Sequence, residues 1–276
     1  MDPADYFLKP QLPPGDVVSE DIDPVLAASL DGVERLRARF EAVKLGVPLI
    51  GTCQYGDLMV PHGSLVGDIA NLKLGLSLDH LRTLRQLLID GRWMPTDAHL
   101  TLLRPVFEGA VHARWLLDPI ATPQMRVSRA YGVELGDLDE QRKIELEAVG
   151  DPDWPREAIG WAATRTQVRK QEAMAACLLP ESANTIDLLR RFGSQLYHRD
   201  ARLFRECSGV LHSQPWTASR LGDQVTIRQT DSRRDTLHYA NQSQAAGLTK
   251  AAVDLFEAAL LDYESYVGPI TASAPD

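Results

Sequence analysis

Several things are scarce in this 276-residue chain, and each scarcity excludes a class of protein. Its three cysteines, Cys53, Cys177 and Cys207, have no Cys-x-x-Cys spacing, so neither a disulfide framework nor a thiolate metal knot is encoded. Isolated thiols of this kind read as reduced and are expected in a cytoplasmic protein. Aromatic residues make up only 7% of the chain, and Trp93, Trp115, Trp154, Trp161 and Trp216 are too dispersed to form a base-stacking platform. No apolar run approaches the roughly 18 residues that a membrane span requires. The N-terminus, MDPADYFLKPQLPPGDVVSEDIDP, is acidic and proline-rich, without the basic and apolar regions of a secretory leader.

Motifs for the common chemistries are missing too. There is no GxGxxG, no Walker A loop and no GxSxG, so dinucleotide binding, P-loop hydrolysis and serine-hydrolase catalysis have no support in the sequence. Neither HExxH nor the paired Glu-x-x-His of a di-iron bundle occurs. No metal and no cofactor are therefore expected.

What is present is ordinary in bulk, at 44% hydrophobic and 24% charged residues, and fits a soluble globular protein. The net charge of −9 argues against broad, non-specific binding of DNA by the whole surface. The charge is uneven, however. Between Arg190 and Asp235 there are nine arginines, no lysine and five acids, a net of +4.

The periodicity is that of a helical protein. Residues 1–22 read as a flexible acidic arm, 23–268 as one helical domain and 269–276 as a disordered tail. Asp23 and Pro24 form a helix start, and helical patterns follow from about Ser64, Asp97, Pro123, Arg156 and Asn184. VPLIGTCQYGDLMVPHG reads as a loop or a short extended piece. QVTIRQT and RDTLHYA alternate with period two, which predicts a small β-hairpin near 224–240. The expected fold class is all-α, a single multi-helix bundle with that insertion.

Two helices carry candidate chemistry. In LYHRDARLFRECSGVLHSQPW, predicted helical from about Gln195 to His212, Arg205 and His212 are two turns apart and share a face. Leu203, Phe204, Cys207, Val210 and Leu211 project onto the core side. Arg202, Arg205, Ser208, Gly209 and His212 project outward, with Gly209 leaving the neighbouring surface open. The plain reading is a solvated basic face. The chemical one has Arg205 and Arg202, with Arg199 a turn earlier, contacting phosphate while His212 serves as general acid or base and Ser208 holds the imidazole or the substrate. The second helix, Asp97–Leu117, is apolar nearly all round and should be buried at the centre. Along it Arg104, Glu108 and His112 recur every four residues. They read either as a structural ion pair or as the support of a polar pocket that orients Arg205 or His212.

The segments LFRECSGVLHSQPW and LLRPVFEGAVHARWLLDP resemble a group of mostly actinobacterial helical proteins with an arginine/glutamate helix followed by a Ser-x-x-x-His helix. More distantly, Arg205-x6-His212 is similar to the Arg-x4-6-His motif of the HEPN superfamily, in which a polar residue, here Glu206, follows the arginine. That resemblance implies a helical bundle acting as a dimer, often as a metal-independent RNase of toxin–antitoxin or defence type. Arg205 would then position the scissile phosphate, and His212 would serve in cleavage by the RNA 2′-hydroxyl. The expected partners are RNA or a nucleotide and a second copy of the chain, with no membrane. The alternatives are a non-catalytic binding or regulatory protein of the same architecture, and a small-molecule-binding bundle using Arg104, Glu108 and His112.

Overall fold

The structure is a computed structural model that describes residues 22–43, 48–91, 98–149, 151, 154–155, 159–194, 199–212 and 241–268, together with the backbone course of 222–229 and 234–240. Of the arm 1–22, residues 1–21 lie outside the described residues, as do the tail 269–276, Trp93, His198 and Trp216. The described chain is mostly helical: α1 Pro24–Ala42, α2 Cys53–Leu58, α3 Ser64–Arg85, α4 Ala98–Leu116, α5 Pro123–Glu147, α6 Trp161–Ala175, α7 Thr185–Phe192, α8 Arg199–Leu211 and α9 Gln242–Val267. The backbones of β1 Gly222–Gln229 and β2 Arg234–Ala240 pair antiparallel, Gly222 opposite Ala240, with an irregularity between Thr226 and Arg228. Among the described residues, no helix is long and apolar enough to cross a membrane.

Local chemistry sets the helix starts. Asp23 accepts from the backbone N–H groups of Val25 and Leu26, and Pro24 occupies the first turn of α1, where its missing N–H costs nothing. Thr52, Thr122, Asn184 and Asn241 cap α2, α5, α7 and α9 in the same way. The segment expected to be loop or extended thus contains a short helix, α2. Thr52 satisfies the N–H of Tyr55 there, and Asp57 and Gln54 turn inward. Helix α6 has no cap of its own, since Gly160 precedes it. Instead Glu145, buried on α5, accepts from the N–H groups of Gly160 and Ala162, both at 3.0 Å.

Helix α4 is central. It packs against α3, α7, α8 and α9, and Leu103, Val106, Phe107, Ala110 and Val111 are wholly buried along it. The crossing with α3 is close because Gly109 has no side chain: a Cβ there would lie 2.2 Å from Ser77 Oγ and 2.7 Å from the Lys73 carbonyl. Leu26, Leu30, Val33 and Leu36 of α1 close the core from one side, joined there by Phe256, Ala259 and Leu260 of α9.

A buried polar network ties the far end of the bundle. Arg126 of α5 donates from Nε and Nη2 to Asp57 of α2, the shortest contact being 2.7 Å, and from Nη1 to the carbonyls of Asp118 and Ala121. Tyr266 of α9 donates to the same carboxylate at 3.0 Å. Burial works against the Arg126 charge, but the Asp57 hydrogen bonds and charge outweigh it and hold the guanidinium protonated. Nearby, Arg129 donates to the Trp115 carbonyl at 2.7 Å and stacks on that indole. These arginines are structural: they tie α2, α5 and the end of α9 together.

Candidate functional site

Helix α8 lies against α4, α7 and α9, so it is covered over a wider sector than its apolar stripe alone requires. Leu203, Phe204 and Cys207 are buried as projected. The projection fails at two positions. Leu211, assigned to the core, is 44% exposed, because the last turn runs past the helices that cover the rest. Gly209, expected to leave open surface, is buried, since a residue without a side chain is readily covered by its neighbours. Glu206, which the projection assigned to neither face, is buried at 6% exposure on the side that faces α9.

The start of α8 is fixed by Asp200, which accepts from the Ser194 N–H and, at 3.1 Å, from Arg199 Nε. Gly193 permits this junction, since a Cβ there would meet the Leu189 carbonyl at 2.4 Å. From that anchor the outward line runs through Arg202 and Arg205 to His212, all exposed. His212 follows the last helical residue, and its backbone N–H still donates to the Ser208 carbonyl at 3.0 Å. Among the described residues, Arg202, Arg205 and His212 have no side-chain hydrogen bond or ion pair. Arg205 and His212 are seven residues apart, roughly 10 Å along the helix axis.

Of the two groups of candidate residues, the structure joins one member of each. Arg104 of α4 donates from Nε to Ser208 Oγ at 3.1 Å, and its guanidinium lies 5.4 Å from the Phe204 ring centroid. Its Nη2 is 3.8 Å from Glu108 Oε2. The link between the helices therefore runs to Ser208, which holds neither Arg205 nor His212. Arg104 and Glu108 keep 30% and 38% side-chain exposure, so they lie at an edge of the α4–α8 contact.

His112 goes elsewhere. Its Nε2 is 3.3 Å from Thr185 Oγ1 on α7, its ring sits edge-on to Trp115, and its Nδ1 is buried without a hydrogen bond. Burial, with the Lys73 charge adding to it, pushes its pKa down to about 4. The imidazole is neutral at pH 7 and poorly suited to take up a proton. Cys207, beside Ser208, is likewise inert: burial, with Glu206 adding to it, pushes the thiol up to about 12.

Arg199 and Arg202 meet something the sequence did not announce. They line an open cavity of about 510 Å³ between α8 and α9, opposite Gln244, Gly247 and Lys250. The α9 residues lie some forty positions further along the chain, and nothing local in either segment signals the meeting. Among the described residues, no group of His, Cys, Asp and Glu is arranged to hold a metal ion. The chain matches no known protein family, no curated protein and no solved structure.

Proposed function

We propose that the outer face of α8 is a phosphate-contacting surface, and that the protein is a HEPN-like RNA- or nucleotide-binding helical protein. The observation that carries this reading is the line of exposed Arg202, Arg205 and His212, none of them neutralised by an acid among the described residues. Other arginines of the same basic stretch are neutralised: Arg190 pairs with Asp187 and Arg199 with Asp200. Guanidinium groups left unpaired on a rigid helix match the charge and forked geometry of phosphate oxygens. The activity such a face would carry is metal-independent cleavage. Arg205 would hold the phosphate and His212 would move protons at the 2′-oxygen or the leaving oxygen, with a second copy bringing its own motif alongside.

The test uses the full chain and a fluorescein-labelled single-stranded RNA. Anisotropy should rise on titration with wild-type protein and fall to background with Arg202→Ala/Arg205→Ala. Incubation of mixed RNA without divalent metal then separates the two forms of the reading. Cleavage by wild type and not by His212→Ala supports the nuclease, whereas binding without cleavage supports a non-catalytic RNA-binding protein. Equal binding by wild type and the double variant would refute the surface. The third alternative is a small-molecule site at Arg104, Glu108 and His112. Arg104 is tied to Ser208 of α8, Glu108 lies beside Arg104 on α4, and His112 turns to Thr185 of α7.

A further inference from the structure

The cavity between α8 and α9 holds two charges without partners. Four charged side chains line it: Arg199, Arg202, Glu206 and Lys250. Arg199 is held by Asp200, and Lys250 by both oxygens of Asp254 at 2.8 Å. Arg202 and Glu206 remain. They are four residues apart on one helix, the spacing at which such a pair ordinarily forms, yet no ion pair joins them and neither has another partner among the described residues. Glu206 is only 6% exposed. Its side chain lines the cavity, and N–H donors can reach its carboxylate from that open side.

The remaining lining defines the shape of what fits. Leu203 and Leu248 are buried and line it, offering an apolar surface for a flat ring. Gly247 faces the space, and a Cβ built on it meets nothing within 4 Å. The volume, about 510 Å³, lies in the range of small-molecule sites. The occupant therefore combines an anion for Arg202, a planar ring, and adjacent N–H donors for Glu206. Among the bases, guanine alone presents two neighbouring donors, N1–H and N2–H₂, on its Watson–Crick edge. Adenine and cytosine place a ring acceptor beside a single amino group, and uracil flanks its one N–H with two carbonyl oxygens, so each turns a lone pair toward the carboxylate.

We propose that this cavity binds a guanine nucleotide, Glu206 accepting from N1–H and N2–H₂ and Arg202 holding the phosphate. The inference rests on the nucleotide reading of α8 and adds a base preference and a second helix to it. On a helical projection Arg202 lies between the cavity side and the Arg205–His212 line. A guanosine seated in the cavity would thus pass its phosphate toward that line, whether it arrives as free GMP or within single-stranded RNA.

The experiment is competition against a fluorescent GMP analogue on the full chain, with unlabelled GMP, AMP, CMP and UMP. A parallel arm measures direct binding of an oligo(A) RNA with and without one central guanosine. GMP is expected to compete at least about tenfold better than AMP, a step of one decade in Kd. Glu206→Gln, which turns an amide donor toward the base, should abolish that preference, and Arg202→Ala should weaken all four nucleotides alike. Gly247→Leu should abolish binding, its side chain entering the cavity without touching the fold. Equal competition by all four nucleotides, or a guanine preference that survives Glu206→Gln, overturns the proposal. If RNA binds without regard to guanosine, the α8 surface stands and the cavity proposal falls. If GMP competes selectively and neither RNA binds, the cavity proposal stands for free nucleotide and the RNA reading falls.

Discussion

His112 supplies a prediction whose size follows from its surroundings. The ring is packed edge-on to Trp115, hydrogen-bonded through Nε2 to Thr185 and left without a partner at Nδ1. Burial and the Lys73 charge lower its pKa from 6.5 to about 4, so the folded protein resists protonation where the unfolded chain accepts it. Between these two values the unfolded state binds more protons, and stability must fall as the pH falls through that window. At pH 5 the unfolded imidazole is almost fully charged and the folded one mostly neutral. The difference corresponds to about 2 kcal/mol relative to pH 8. Urea unfolding at both pH values, for wild type and His112→Phe, isolates this contribution, because the carboxylates titrate alike in both proteins. Wild type should lose about 2 kcal/mol more than the variant on going from pH 8 to pH 5. Stability differences that stay parallel across the range would refute the assignment of His112 as a neutral, structural histidine and reopen it as an acid–base group.

Other perturbations test the packing of the bundle. Asp57→Ala leaves the Arg126 guanidinium buried without its charge partner and should cost about 4 kcal/mol in chemical denaturation, with much of it recovered in Asp57→Ala/Arg126→Met. A loss below about 1 kcal/mol would show that the pair is solvated. Glu145→Ala removes the acceptor at the start of α6 and should cost about 1 kcal/mol, with faster amide exchange at Ala162 than in wild type. Gly247→Ala, placed mid-helix where a Cβ meets nothing within 4 Å, should raise stability by about 0.5–1 kcal/mol, and a loss would mean that the cavity wall is closed.

The sequence made the local parts of this structure legible. Asp23 with Pro24, and the apolar wrap of Leu100, Leu103, Val106 and Phe107, identify a helix start and a central helix because capping and burial periodicity act within a few residues. The one-turn helix α2 was hidden, as it is too short to show a period and is held by Thr52 and by Asp57 reaching another helix. The burial of the α5 arginines was hidden for the same reason: the partner of Arg126 is 69 residues away. At the candidate site, the outward placement of Arg202, Arg205 and His212 followed from helix geometry. The burial of Glu206 did not, since it depends on α9 packing beside α8. Nor could spacing reveal that Arg104 would bind Ser208, because two helices must first be placed side by side.

The claim that most needs testing is that α8 contacts phosphate. Its most direct measurement is the salt dependence of single-stranded RNA affinity, wild type against Arg202→Ala/Arg205→Ala. Each phosphate contact on single-stranded nucleic acid contributes about 0.7 to the slope of log K against log salt concentration. Removing two arginines should therefore lower the slope by about 1.4 as well as weaken binding. Identical slopes for the two proteins, or no binding by wild type at low salt, would contradict the account.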